Sequence, residues 1–336
     1  MNLHAIDRRY FLNCAGLAAL AAAGTMRMTE SHAQDAARDA AKEAAKGSVP
    51  NSSGTETSSL KAPPNACDCH MHIYDAERFP PLRPGSRLQT NARVTDYRLL
   101  QQRIGTTRTV VVTPAVYVTD NRVTLDAVAT LGSEARGVAV VHPSVTDAEL
   151  AELDKGGIRG IRFTQFDPAT AVTTIDMIEP LAQRVDKLGW HVQIHMRGDQ
   201  IAAAEDLWDR IPCPIVFDHM GRLPQPDGTN HAAFRIIRRL IDAGHTWVKL
   251  SGAYLDTKVG APTYADASKV AQTLVTVAPQ RVVWGSDWPH PTEGADRKPN
   301  DAVLFDLLAQ WAPDAASRRL ILVENPENLY GFTRAI

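Results

Sequence analysis

Four side chains that can bind metals or move protons stand where short apolar runs of the sequence stop. His70 and His72 end the first of these runs, His195 ends the fifth, and Asp287 follows the eighth. Imidazole nitrogens and a carboxylate can hold a divalent ion, activate a water molecule or polarise a carbonyl oxygen. Taken alone, the His-x-His of His70 and His72 fits two hydrogen-bonded core histidines equally well, so the other two residues decide the interpretation.

These residues sit on a regular alternation of Val- and Ile-rich runs with segments whose apolar residues recur at helical spacing. The predicted strands are 66–73, 108–113, 137–141, 158–163, 190–195, 215–218, 247–250 and 281–286. The predicted helices are 96–104, 122–131, 147–155, 175–188, 200–210, 232–242, 264–277 and 302–311. Eight such units predict a single-domain (β/α)8 TIM barrel of the α/β class, whose strand ends surround one cavity. An open doubly wound sheet is the alternative, but no Gly-rich phosphate turn follows an early strand.

Six segments resemble the amidohydrolase superfamily, and within it the branch of 2-pyrone-4,6-dicarboxylate lactonase, galactarolactone isomerase and muconolactone lactonases. They are DCHMH at 68–72, QIH at 193–195, FDHMGR at 217–222, KLSG at 249–252, WGSDWPH at 284–290 and NPENLYGF at 325–332. Singly each segment is a weak signal, but together they are specific to this branch. The resemblance extends over residues 66–332 and implies a hydrolase on a barrel.

The resemblance implies that His70, His72 and His195 surround the substrate carbonyl while Asp287 takes a proton from the attacking water. A carboxylate near several histidines can stay ionised at neutral pH, and imidazole N–H groups or a metal can stabilise the oxyanion. The expected reaction is the hydrolytic opening of a lactone. An isomerase that migrates a lactone ring would use the same residues.

Metal dependence is a separate question at this centre. The fourth strand ends GIRFT at 160–164 and lacks the Lys or Glu that often bridges two metals in the family, so a two-metal site is not expected. One zinc ion held by His70, His72, His195 and Asp287 is chemically reasonable. The lactonases that this chain resembles can work without metal, and a metal-free mechanism is therefore favoured.

Three arginines are expected at the same mouth of the barrel, and guanidinium forks suit carboxylates. Arg162 lies on the fourth strand, Arg197 two residues past His195, and Arg222 three past His219. Arginines at such places in the resembled lactonases hold substrate carboxylates, so we expect an anionic lactone, with Arg222 the preferred ligand. Arg162 could instead pair with a barrel acid such as Asp68.

Other polar side chains complete the expected site. His219, Tyr74 and Tyr254 follow predicted strands and are assigned to substrate binding through hydrogen bonds. Lys249 ends the seventh strand, where a structural ion pair is the simpler interpretation. Cys67, Cys69 and Cys213 lack the spacing of a disulfide framework and are interpreted as small core residues.

The first 65 residues differ from the rest of the chain in composition. Arg8-Arg9 precedes an Ala-rich apolar stretch and Ser31-His32-Ala33, which resembles a twin-arginine signal cleaved after Ala33. We expect residues 1–33 to be this signal, 34–65 a flexible linker and 66–336 the barrel. The twin-arginine export machinery is then a partner, and the mature protein is expected in the periplasm.

Composition narrows the remaining classes of function. Lys and Arg number 36 against 38 Asp and Glu, a formal net charge of -2, which gives no basic field for nucleic acid. No apolar run would remain stably in a bilayer after processing. Two alternatives to the lactonase stay open: a metal-dependent decarboxylase of small aromatic acids, and a non-catalytic periplasmic solute-binding protein, although a binder would not need Asp287 beside three imidazoles.

Overall fold

The computed structural model describes residues 47–83 and 91–334. The predicted signal, 1–33, and residues 34–46 of the predicted linker lie outside these ranges. The compact unit that carries the barrel is Val49–Ile336. Across the described ranges, no helix has both the length and the apolar character needed to traverse a lipid bilayer.

Eight parallel strands follow one another around a barrel in sequence order. They are β1 (Cys67–Met71), β2 (Arg108–Val112), β3 (Ala135–Ala139), β4 (Ile158–Thr164), β5 (His191–His195), β6 (Ile215–Phe217), β7 (Thr246–Leu250) and β8 (Val282–Trp284). Each predicted strand is present, with its ends moved by at most two residues. The prediction of a (β/α)8 barrel is therefore confirmed.

Helices surround the strands on the outside of the barrel. They are α1 (Val94–Ile104), α2 (Arg122–Leu131), α3 (Asp147–Lys155), α4 (Ile178–Asp186), α5 (Gly198–Ala203), α6 (Glu205–Trp208), α7 (Ala232–Asp242), α8 (Ala253–Asp256), α9 (Ala265–Val277), α10 (Asp301–Trp311), α11 (Ala315–Arg319) and α12 (Asn325–Tyr330). The helix predicted over 200–210 is divided into α5 and α6. The sequence patterns did not predict α8, α11 or α12.

Local sequence explains these elements. β2 reads RTVVV and is buried along its whole length, as suits β-branched side chains covered on both faces. In α7, Ile236, Ile237 and Leu240 are buried on one face while its arginines lie on the other. Thr146 caps α3: its hydroxyl accepts from Glu149 N at 3.2 Å, and Glu149 accepts from Thr146 N at 2.7 Å.

The barrel closes where β8 meets β1, through individual hydrogen bonds. Asp287 N donates to His70 O at 2.8 Å. The Asp68 carboxylate accepts from Ser286 N at 2.9 Å and from Ser286 Oγ at 2.6 Å, and it also accepts from the Tyr97 hydroxyl at 3.0 Å. This seam therefore depends on a buried acid and joins the chain directly beside the candidate catalytic residues.

Residues 49–65, within the predicted linker, pack on the barrel. Val49 is buried, and Trp288 donates its indole hydrogen to Pro50 O at 2.8 Å. Arg103 of α1, itself buried, donates three hydrogen bonds to the segment at 2.8–3.1 Å. Residues 49–65, predicted as part of a flexible linker, thus make contacts through backbone carbonyls and hydroxyls, which hydrophobic patterning does not reveal.

Candidate active site

The carboxyl ends of β1 and β8 bring three of the catalytic candidates together. His70 Nε2 lies 3.2 Å from His72 Nε2. Asp287 Oδ1 lies 3.5 Å from His70 Nε2 and 3.4 Å from His72 Nε2. All three side chains are buried, and Asp287 adopts a left-handed backbone with a φ of 63°. A non-glycine residue held in this region is typical of functional sites.

His219 joins His195 to this centre. The loop after β6 places His219 and Arg222 at positive φ, 49° and 46°, so the chain turns sharply at the barrel mouth. The His219 ring centroid lies 4.7 Å from that of His70 and 5.2 Å from that of His195. Its Nδ1 lies 2.8 Å from Ser251 Oγ. The sequence predicted that His70, His72 and His195 surround one carbonyl group, and in the structure the His219 ring neighbours both His70 and His195.

A buried polar network lies beneath the histidines. Asp218 Oδ2 accepts from Arg162 Nε at 2.9 Å and from Gln193 Nε2 at 3.0 Å. Lys249 Nζ donates to Gln193 Oε1 at 2.7 Å and to the Cys69 carbonyl at 2.8 Å. The expectation that Lys249 makes a structural ion pair fits its position 3.7 Å from Asp218 Oδ1.

For neutral imidazoles, the hydrogen bonds of His70 and His72 indicate which nitrogen carries the proton. His72 Nδ1 lies 2.8 Å from Val112 O, which only accepts, so this nitrogen is protonated and Nε2 has a lone pair. His70 Nε2, 3.2 Å away, must then be the N–H donor. That leaves His70 Nδ1 to accept from Lys249 Nζ at 3.2 Å. Asp218 Oδ1 also lies 3.2 Å from this nitrogen and makes no hydrogen bond to the described residues.

Burial sets the charge of the centre. It lowers the pKa of His70 and His195 well below 6.5, with help from the charges of Lys249 and Arg162 respectively. It lowers the pKa of His219 to about 4. Burial by itself raises the pKa of Asp287, yet its interactions with His219, His72 and His70 hold this pKa well below 3.8. At neutral pH, His70, His195 and His219 are neutral imidazoles close to an ionised carboxylate.

The donor set fits a divalent metal. Zinc–nitrogen bonds are about 2.0–2.1 Å long, so neighbouring tetrahedral ligands lie about 3.3–3.4 Å apart. The three distances among His70 Nε2, His72 Nε2 and Asp287 Oδ1 are 3.2, 3.5 and 3.4 Å. His70, Asp218 and His219 form a second candidate group. His195, which the sequence added to the zinc ligands, belongs to neither group; its Nε2 accepts from Arg222.

A cavity of about 190 Å³ opens at the centre, with Arg162 and Arg222 in its wall. Arg222 is held on both sides: it binds the Asp256 carboxylate at 2.6 and 2.9 Å and donates to His195 Nε2 at 3.1 Å. Arg162 donates from Nε to Asp218, while its terminal nitrogens make no hydrogen bond to residues 47–83 or 91–334. Arg162 therefore presents the more open fork, although the sequence favoured Arg222.

The remaining residues predicted to bind substrate differ in whether they line the cavity. Tyr74 is buried and lines the cavity, as does His219. The Tyr254 hydroxyl is engaged by Asp287 Oδ2 at 2.6 Å, so this residue contacts the acid rather than the cavity space. Arg197 is exposed, donates to the Phe166 carbonyl and is not among the residues that line the cavity. The alternative pair of Arg162 with Asp68 is replaced by the pair with Asp218.

Sequence reasoning gave no role in the site to several residues that shape it. Asp218 carried a usable signal, because a charge at the end of an apolar strand needs a buried partner. Asp256 and Phe166 carried none. Phe166 stacks on the His195 ring at 5.4 Å, and the Arg222 guanidinium lies 4.2 Å from its ring centroid. Only the fold brings these two residues against Arg222, and Phe166 against His195.

These features define a (β/α)8-barrel enzyme with a buried histidine–aspartate centre at the carboxyl ends of its strands. The chain belongs to the amidohydrolase family, whose model, described as "Amidohydrolase", matches residues 67–332. The family named from the sequence motifs is thus confirmed.

Three curated relatives cover most of the chain. It is 36% identical over 283 residues to 4-sulfomuconolactone hydrolase of Rhizobium radiobacter, covering 81% of this chain and 92% of the relative. It is 33% identical over 280 residues to 2-pyrone-4,6-dicarboxylate hydrolase of Comamonas testosteroni, covering 81% and 92%. It is 31% identical over 271 residues to D-galactarolactone isomerase of Agrobacterium fabrum, covering 80% and 91%.

Two solved structures share the architecture. An apo protein of Agrobacterium tumefaciens superposes with a TM-score of 0.77 at 28% identity, covering 85% of this chain and 99% of the other. A structure from Acinetobacter baumannii, described as a probable 2-pyrone-4,6-dicarboxylic acid hydrolase with citric acid bound, gives 0.64 at 25% identity, covering 80% and 100%.

Proposed function

We propose that this protein hydrolyses an anionic lactone. The observation that carries the proposal is the position of Asp287 Oδ1, 3.4–3.5 Å from two buried imidazoles, with Asp287 in the wall of a small cavity. An ionised carboxylate there can orient a water molecule and accept its proton. The names of the three relatives, all of which act on lactones or pyrones, support this class of substrate.

Asp287 acts as the base in the proposed reaction. Water adds its oxygen to the lactone carbonyl carbon while Asp287 takes a proton from it. The bond between this carbon and the ring oxygen then breaks, and the ring oxygen leaves as a hydroxyl group with the proton that Asp287 returns. The product is a hydroxy acid. Since the pKa of Asp287 is held low, the base remains ionised throughout the neutral range.

The histidines stabilise the oxygen of the carbonyl in this reaction. His70 carries its proton on Nε2, which points toward His72 and Asp287. His195 accepts from Arg222 on Nε2, so as a neutral imidazole it is protonated on Nδ1, a nitrogen without a partner among the described residues. The His195 N–H can donate to an oxyanion directly, and the His70 N–H can do so when it leaves its hydrogen bond to His72. His219 lies between the two rings and lines the cavity, where it extends this set.

His70, His72 and Asp287 would hold a divalent ion if one binds, and such an ion would supply Lewis acidity toward the carbonyl and a lower pKa for water. The proton on His70 Nε2 matches the metal-free form of the centre. The residues therefore fit both a metal and direct donation by histidine, and we propose that direct donation is sufficient for turnover.

The arginines favour a negatively charged substrate. Arg162 and Arg222 both line the cavity, and guanidinium groups bind carboxylates with paired hydrogen bonds. The printed names of two relatives describe a sulfonated and a dicarboxylated substrate, and a solved neighbour holds citric acid. These observations support a lactone that carries at least one further carboxylate or sulfonate.

A panel of charged and uncharged lactones, assayed with and without chelator, tests the proposal. We expect opening of anionic lactones and a fall in kcat of about 10²–10⁴-fold for Asp287→Asn, with ligand affinity little changed. Asp242→Asn, at an exposed ion pair on α7, is the matched control. Wild-type protein that opens no lactone would overturn the proposal, whether it releases carbon dioxide from aromatic acids or binds ligands without turnover. Product analysis separates hydrolysis from ring migration.

We also propose that residues 1–33 direct export by the twin-arginine machinery to the periplasm. The paired arginines, the apolar stretch and the small residues before Ala33 support this in sequence order. N-terminal sequencing of the mature protein from a periplasmic fraction checks it, and an uncleaved protein retained in the cytoplasm would contradict it.

A further inference from the structure

The two oxygens of the Asp287 carboxylate have different surroundings. Oδ1 faces the His70 and His72 nitrogens at 3.5 and 3.4 Å. Oδ2 accepts a hydrogen bond of 2.6 Å from the Tyr254 hydroxyl. A short bond to an ionised acceptor is among the stronger hydrogen bonds in proteins. The carboxylate is therefore fixed in rotation, with one oxygen occupied and the other turned to the imidazoles.

His290 continues the chain of hydrogen bonds behind Tyr254. Its Nδ1 lies 3.1 Å from the Tyr254 hydroxyl, and its Nε2 lies 3.1 Å from Asp301 Oδ2. His290 and Asp301 are both fully buried. The His290 backbone N donates to Asp287 O at 2.7 Å, and Lys298 donates to the His290 carbonyl at 2.8 Å. The imidazole is thus held at its backbone as well as at both ring nitrogens.

The direction of these bonds follows from the number of protons. Tyr254 has a single hydroxyl proton and donates it to Asp287, because an ionised carboxylate can only accept. The tyrosine oxygen must then accept from His290 Nδ1, which has to carry a proton. Asp301 Oδ2 lies 3.1 Å from the opposite ring nitrogen, Nε2.

We propose that Tyr254, His290 and Asp301 form a positioning triad that assigns the role of base to Oδ1 of Asp287. The triad does not touch the substrate; it acts by occupying Oδ2 and by holding the carboxylate against rotation. The sequence assigned Tyr254 to substrate binding, and the structure gives its hydroxyl this other partner. The inference rests on the proposed hydrolytic function for its kinetic readout only.

Kinetics of three variants test the triad in the full-length protein. Tyr254→Phe and His290→Leu remove the donor to Asp287 and the donor to Tyr254 respectively, and each should lower kcat by about 10-fold or more while KM stays unchanged. His290→Asn keeps an N–H near the Nδ1 position and should recover part of kcat. Tyr117→Phe, which removes another buried hydroxyl that accepts from Asp75 N, should behave as wild type. Thermal denaturation confirms that each variant is folded.

The result that overturns the triad is a folded Tyr254→Phe protein with wild-type kcat. A spectroscopic readout separates this failure from a failure of the proposed function. In ¹⁵N-histidine NMR we expect a downfield N–H proton from His290 that is lost in His290→Leu and shifted in Tyr254→Phe. Wild-type protein that opens no lactone but shows this pattern would refute the function and support the triad. A His290 signal unaffected by Tyr254→Phe would overturn the triad whatever the activity.

Discussion

At the residue scale, the position of the proton on His70 determines whether its Nε2 donates a hydrogen bond or has a lone pair that can bind a metal ion. His70 Nδ1 has two neighbours at 3.2 Å, the Lys249 ammonium and Asp218 Oδ1. Donation from Lys249 keeps the histidine proton on Nε2. Donation to Asp218 would move that proton to Nδ1 and leave a lone pair on Nε2. A histidine that binds a metal usually donates its other N–H to such a carboxylate.

Replacing Lys249 with Met removes both the donor and a buried positive charge. We expect His70 in this variant to donate to Asp218 from Nδ1 and the zinc affinity to rise by about 10-fold, the scale on which outer partners tune metal sites. Competition with a chromogenic chelator measures the affinity. Lys155→Met, at an exposed lysine of α3, is the control. Equal zinc affinity in wild type and Lys249→Met would refute the proton assignment of His70.

The two arginines that line the cavity differ in how many of their N–H groups already donate to other side chains of the protein. Arg162→Met should raise KM for an anionic lactone by about 10- to 100-fold, because charge-assisted hydrogen bonds contribute about 1.5–3 kcal/mol. Arg222→Met should have a smaller effect on KM, since Asp256 and His195 already take three of its N–H groups. Arg197→Met should leave KM unchanged. An uncharged lactone is the control substrate, and an equal rise in its KM for Arg162→Met would contradict an anion-binding role.

At the scale of elements, the seam between β1 and β8 depends on the protonation of Asp68. Burial raises the pKa of this carboxyl from 3.8 to about 6, although it accepts hydrogen bonds from Ser286, His70 and Tyr97. The folded state then binds the proton more tightly than the unfolded state does. Its contribution to stability is complete below about pH 4 and is lost as the pH rises to about 6, amounting to about 3 kcal/mol.

Asp68→Asn removes this titration while keeping the shape of the side chain. When the pH is raised from 4 to 7, the unfolding free energy of wild type should therefore fall by about 2.5 kcal/mol relative to that of the variant. Urea unfolding at the two pH values measures the difference. Asp242→Asn, on the surface of α7, should show no such change. A difference between Asp68→Asn and wild type that is independent of pH would contradict the raised pKa.

The sequence predicted the strands well, but it predicted poorly which side chains contact the histidines and arginines of the site. Both results have physical reasons. Runs such as RTVVV in β2 determine their own conformation through β-branched side chains, so their ends were placed within two residues. The His70 and Asp287 positions followed from strand ends that a barrel must bring together. Partners such as Asp256 for Arg222 depend on the conformation of the loop after β6. There His219 and Arg222 have positive φ values, which their residue types do not predict. The hydrogen bonds of residues 49–65 were likewise invisible to an apolar pattern.

At the scale of the molecule, the segment before β1 contributes to the stability of the barrel. A chain that starts at Ala66 lacks the contacts of residues 49–65 with Arg103 and Trp288. Compared with a chain that starts at Val49, it loses three of the hydrogen bonds of the Arg103 guanidinium and keeps the one to Asn300 at 2.8 Å, which costs about 1–3 kcal/mol. We expect its Tm to be lower by about 2–4 °C for each kcal/mol lost. Thermal denaturation of the two chains measures this, and identical Tm values would show that the segment adds nothing to stability.

The joining of the first and last strands at the catalytic residues has a consequence for biosynthesis. His70 and His72 leave the ribosome early, whereas Asp287 is among the last barrel residues to be made. Until then the nascent chain has an open edge at β1 and lacks the proposed base, so we expect no shortened translation product to turn over substrate. Such a product would also expose the unpaired edge that favours aggregation and degradation. Catalysis in this protein is therefore restricted to chains whose synthesis has continued past the eighth strand.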